Sequence, residues 1–169
     1  MDRQDVTLVS LWLHVPFVTT WFALIVVDAF AMFGPGLTAS QRLGILTWSR
    51  PFVVLAIPVI LATGIWQTME NPFAHVDSFA SLEHLRHHTL YGSLLFWKHG
   101  GVIVTFVLTV LVRFGLAPHA IATIDQTEGI TDVSFLPHAA RWLELAVLTN
   151  LLACLAAILL ATRMVAELH

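Results

Sequence analysis

The sequence predicts an all-α integral membrane protein built as a four-transmembrane-helix bundle. Hydrophobic residues make up 57% of its 169 residues and charged residues only 11%, and the mean hydropathy is +0.81. Four windows, at about 6–30, 44–68, 91–115 and 140–163, are each apolar over the ~20 residues a helix needs to cross the hydrocarbon core. Residues 1–169 are expected to form one domain, in which the short first connection makes the first two helices neighbours.

The first window is long for a leader peptide and ends at Asp28, so it reads as a retained helix. Pro16 inside it cannot donate to the carbonyl of Trp12, which predicts a bend beside His14. The first connection carries Gly34, Pro35 and Gly36, with Thr38 or Ser40 as the cap of the next helix. Pro58 predicts a bend in the second window. The second connection contains "SLEHLRHH", which suits a short helix on the membrane surface. The third, "GLAPHAIATIDQTEGITDVSFLPHAA", reads as polar and rich in turns. Trp48, Trp66 and Trp142 flank the spans as an interfacial belt.

Arg3, Arg86 and Arg163 fall on the side shared by both termini and the second connection. Arg42, Arg113 and Arg141, with Arg50 slightly inside, fall on the other. The positive-inside rule then puts the first and third connections in the cytoplasm and both termini in the periplasm.

Ionisable groups inside spans are costly and face the bundle interior. His14 lies in the first span, Lys98 and His99 in the third, and these two spans run in the same direction. Each histidine is about eight residues inside its span, roughly 12 Å from the same surface at ~1.5 Å per residue. Residues seven apart stay near one helix face, so His14, Trp21 and Asp28 form one stripe and His99, Phe106 and Arg113 another. If the stripes face each other, His14 and His99 share an internal site while Asp28 and Arg113 pair at the far surface. Arg50 and Glu144 are placed to extend that ion pair.

The histidines admit three readings. They can hold helix register by hydrogen bonds alone. They can take both axial positions of a haem b, with Gly100 and Gly101 allowing close approach and propionates received by Lys98 or by Arg86, His87 and His88. They can also ligate copper in transit, helped by the thioethers of Met69 or Met164, because soft ligands favour the reduced metal. His84, His87 and His88, at i, i+3 and i+4, share a helical face and form either a metal-collecting patch or a solvated surface. His75, His119 and His138 are loop residues without an assigned role.

"LHVPFVTTW" at 13–21 is similar to the first-helix signature of copper-resistance protein D (CopD) membrane domains. Thr63 and Gly64 match the "TG" of their second helix, and Tyr91, Gly92, Leu95 and Lys98 resemble the opening of their third. The resemblance covers three of the four helices. It implies a bacterial inner-membrane protein of copper uptake or tolerance that works with a periplasmic copper-binding partner. Members of that family are often longer, so this four-helix unit implies a homo-oligomer or a subunit of a larger membrane complex. The first-helix signature is also similar to HemJ-type membrane protoporphyrinogen oxidases, whose resemblance implies haem b binding by His14. Here "IVVDAFAMFG" replaces that family's basic, aromatic-rich continuation, so the oxidase activity itself is not implied.

Other functions are excluded by what the chain lacks. A net charge of −3 and the absence of a basic stripe exclude a nucleic-acid partner, and Cys154 alone excludes an internal disulfide. There is no Ser or Cys at recognisable spacing from a His and an acid, and no phosphate-binding glycine loop, so the chain alone is not expected to be an enzyme. The expectations are a copper-handling membrane protein, a haem b electron-transfer subunit, or an accessory subunit that scaffolds a membrane complex.

Overall fold

The computed structural model describes residues 3–71, 73–74, 76–127 and 136–167. They form α1 (Arg3–Phe33), α2 (Ala39–Trp48), α3 (Arg50–Met69), α4 (Phe79–His88), α5 (Leu90–Val110), a π-helical segment (Leu111–Leu116), α6 (Ala117–Thr127) and α7 (Leu136–Ala166). No strand occurs among the described residues. Four stretches are long and apolar enough to cross a membrane: Gln4–Phe33, Ala39–Met69, Leu90–Ala122 and Ala140–Ala166. The protein is an all-α, four-span membrane protein.

Local chemistry sets the boundaries. Gly36, at φ 83°, supplies the left-handed residue that turns the chain after α1. Thr38 then caps α2, accepting from the backbone N–H of Gln41 while the Gln41 side chain accepts from the Thr38 backbone. The second span breaks at Ser49 because Pro51, in the first turn of α3, has no N–H for the carbonyl of Thr47. Pro16 and Pro58 lie within the continuous helices α1 and α3. "FASLEHLRHH" is helical, opened by a capping box between Ser78 and Ser81.

The third span runs further than "GLAP" predicts. Its turns widen at Leu111–Leu116, where the Ala117 N–H reaches back to Val112, and the helix continues through Pro118 to Thr127. In a regular α-helix the Pro118 ring would crowd the carbonyl of Phe114, and the π turn relieves that clash. Residues 115–127 are therefore helix. Residues 128–135 of the expected connection, like His75, lie outside the described residues. His119 is on α6 and His138 in the first turn of α7.

In cross-section the ring is incomplete. α1 packs along α3 and along α7, and α5 packs along α7, whereas α3 and α5 meet more sparsely, through side chains such as Thr68 and His99. The first and third spans lie across the bundle from each other. Their long side chains meet across the bundle axis instead: Trp21 and Phe106 have ring centroids 4.7 Å apart, and Arg113 Nη2 donates to Asp28 Oδ2 at 2.7 Å.

Three buried clusters stack along that axis. Ala74, Val76, Leu82, Leu95 and Met164 sit beneath α4. Trp21, Ile25, Ala56, Ile60, Phe106 and Cys154 fill the middle. Met32, Leu43, Leu46, Val112 and Leu143 close the far end. The outer surface is apolar, with Trp12 78%, Phe30 71% and Leu159 68% exposed. Such a surface suits a bilayer rather than water.

The Asp28–Arg113 pair is buried within the bundle, with Arg113 0% and Asp28 3% exposed. Removing one partner of a buried pair leaves an uncompensated charge and costs about 3–5 kcal/mol, whereas replacing both by apolar residues is often near neutral. Asp28→Ala should therefore destabilise the fold by about 3–5 kcal/mol, and Asp28→Leu combined with Arg113→Leu should recover most of that loss. Unfolding titrations in mixed detergent would measure both.

Candidate functional site

Between α1, α3, α5 and α7 lies a chamber of about 400 Å³. Its volume is that of a small-molecule or cofactor site. One end is polar, lined by Gln67 and Thr68 of α3, by Asn71 just beyond it and by Tyr91, Lys98 and His99 of α5. The floor, toward the bundle middle, is Trp21, Phe22, Ile60, Phe106 and Cys154. His14, Lys98 and His99 all line this one space, although they come from spans that lie across the bundle from each other.

Each imidazole is held by α3 or by its own helix. His14 Nδ1 is 2.8 Å from Thr63 Oγ1, whose hydroxyl donates to the carbonyl of Val59 at 2.6 Å. With that proton committed, His14 Nδ1–H is the donor and Nε2 keeps its lone pair. Ser10 Oγ donates to the Thr63 carbonyl at 3.2 Å and receives the Gln67 amide at 3.3 Å, which clamps α1 to α3. Gly64 lies against the ring, where a Cβ would sit 3.4 Å from His14 Cε1, at ordinary van der Waals contact. The "TG" pair is therefore the seat of His14.

His99 Nδ1 donates to the carbonyl of Leu95 at 2.7 Å, because a carbonyl can only accept. Its Nε2 meets Thr68 Oγ1 at 3.0 Å, and the same hydroxyl lies 2.8 Å from the carbonyl of Gly64. Thr68 has one proton to share between these acceptors, so it can release Nε2 without losing a partner.

Lys98 makes no hydrogen bond or ion pair among the described residues, and no Asp or Glu lines the chamber. The indole N–H of Trp21, buried on the chamber wall, also has no partner among the described residues.

Several expected participants lie elsewhere. Met164 is buried on the chamber wall, but Met69 is exposed and does not line it. Gly101 makes its close approach to Ala157 of α7, and Gly100 faces open space. On α4, the rings of His84 and His88 stack at 3.9 Å and His88 Nδ1 donates to the His84 carbonyl at 2.6 Å. His87 meets Glu83 at 3.2 Å, and Arg86 pairs with Glu83 at 2.8 Å beneath the ring of Phe96. Among the described residues no group of three or more His, Cys, Asp or Glu side chains could hold a metal ion.

At the far end Arg50 joins the ion pair through backbone, its Nε donating to the Arg113 carbonyl at 2.7 Å while its guanidinium lies over the ring of Phe114. Glu144 is exposed and has no ion-pair partner among the described residues. The polar group that α7 does turn inward is Asn150, donating to Thr109 Oγ1 at 3.0 Å. A search for ionisable groups passes over Asn150, Thr63 and Thr68. The visible signal was an amide and hydroxyls within apolar runs.

No protein-family model, curated protein or solved structure matches the chain.

The partners predict that His14 and His99 both carry their proton on Nδ1. Nitrogen NMR of histidine-labelled protein should show two Nδ1–H tautomers, and Thr63→Val should release only the His14 signal into a tautomer mixture.

Proposed function

We propose that the chain is a membrane cofactor-binding subunit whose chamber holds haem b. One observation carries the choice: two imidazoles share a chamber with a lysine that has no counter-charge among the described residues. A bare copper ion would add positive charge beside Lys98, whereas a haem brings propionates that neutralise it. His14 and His99 are the residues that would hold the iron, since both are oriented through Nδ1, the second-shell arrangement typical of metal-bound histidine. His14 Nε2 is free of the Thr63 bond, and His99 Nε2 can be given up by Thr68 to Gly64. When bound, haem supplies a one-electron couple. Around it the chain's own residues would seat the rings, exclude water through Trp21, Phe22 and Phe106, and balance one carboxylate with Lys98.

This reading agrees with the histidine role implied by the HemJ-like signature, and it makes the protein an electron-transfer partner within a larger complex of the bacterial inner membrane. A second reading, copper handling of the CopD kind, is favoured by Met164, whose thioether is buried on the wall of the chamber that the two imidazoles also line.

Protein purified from haem-replete cells, or reconstituted with haemin, should show Soret and α bands. His14→Ala or His99→Ala should lower bound haem at least tenfold. A colourless protein that takes up no haemin would refute the haem reading. Binding of copper(I) that weakens at least tenfold in Met164→Leu would then support the second.

A further inference from the structure

We infer that the chamber is a receptor for an amphipathic carboxylate that reaches it sideways from the bilayer, between α3 and α5, and sets its head group against Lys98. This rests on the chamber being the ligand site, but not on iron or on either histidine as a metal ligand.

Three independent features converge on it. The first is charge. Lys98 lines the chamber without a partner among the described residues, and no acidic side chain shares that lining. A neutral or cationic occupant leaves the ammonium uncompensated in a poorly solvated space, and an anion compensates it. The second is the polarity gradient. Gln67, Asn71 and Tyr91 surround the head-group end, and Trp21, Ile60 and Phe106 form the floor, so the space matches a polar head with an apolar tail.

The third is the route. α3 and α5 meet more sparsely than the other neighbouring helices, and the seam between them is fastened near its ends. At the polar end Thr68 bonds His99 and Asn71 Nδ2 donates to Tyr91 Oη at 2.8 Å; at the other, Arg50 bonds the Arg113 carbonyl. Between those fastenings the apolar Leu61 and Ile65 of α3 line the chamber and are 41% and 58% exposed. On this proposal they are the apolar threshold that a hydrocarbon tail crosses between bilayer and chamber.

A lipid acid and a porphyrin propionate present the same head group, so the test has an arm for each. Purified protein in nanodiscs of neutral lipid is titrated with cis-parinaric acid, a fluorescent fatty acid, and with its methyl ester. Saturable binding of the acid, at least tenfold tighter than the ester, is expected. Lys98→Met should reduce the acid to the level of the ester, and Lys98→Arg should retain it. Equal binding of acid and ester by the unaltered protein, or an unchanged affinity in a folded Lys98→Met variant, overturns the inference. So does absence of acid binding. Haemin then separates the sources: if it displaces the acid, the carboxylate site stands and is shared with haem. If haemin neither binds nor displaces while the acid binds through Lys98, the carboxylate site stands and the haem reading falls.

Discussion

Much of the fold follows from the partners that the chain brings to the two terminal nitrogens of Arg113. Fully buried, it reaches Asp28 on α1, the carbonyl of Leu46 at 2.8 Å and the hydroxyl of Ser49. Leu46 and Ser49 belong to the end of α2, where the last carbonyls of a helix have no internal donor. A proline opens that helix end, and an arginine from another span closes it. The same residue's carbonyl accepts from Arg50, so one position ties α1, α2, α3 and the π-helical segment together.

That knot gives the bundle two unlike ends. At the Arg113 end a carboxylate, carbonyls and a hydroxyl gather around the cation, and the surrounding cluster of Met32, Leu43, Leu46 and Val112 is tightly closed. At the Lys98 end, hydroxyl contacts position the imidazoles, but no group among the described residues answers the ammonium. α1 and α3 are clamped there through Ser10, Thr63 and Gln67, while α5 packs chiefly on α7 and meets α3 through the Thr68–His99 bond. The bundle is thus knotted at one end and more loosely seamed at the other.

The sequence made much of this legible, for identifiable reasons. Span number follows from hydropathy, since an uninterrupted apolar run of ~20 residues has few other uses. The Asp28–Arg113 pairing follows from the cost of burying either alone. What a seven-residue spacing reports is a face, not the helix opposite it, so the stripes on the first and third spans were visible while their separation by α3 and α7 was not. His14 and His99 accordingly find their hydrogen bonds on Thr63 and Thr68, residues whose hydroxyls are common in membrane helices and carry no alarm in a scan for charge. Glu144 drew notice by its charge and stands exposed; Asn150, uncharged, is the one turned inward.

The widened turns at Leu111–Leu116 have a wider bearing on how the third span is read. Each added residue rotates a helix by about 100°, so the stretch before the bulge and the stretch after it obey different phases. Lys98 and His99 are aimed by the first phase, and Ala117 and Ala120, buried against the far cluster, by the second. The bulge thus works as a clutch: it lets one continuous rod present a ligand-facing surface at one depth and a close-packing surface at another, each free to be optimised without dragging the other around the axis.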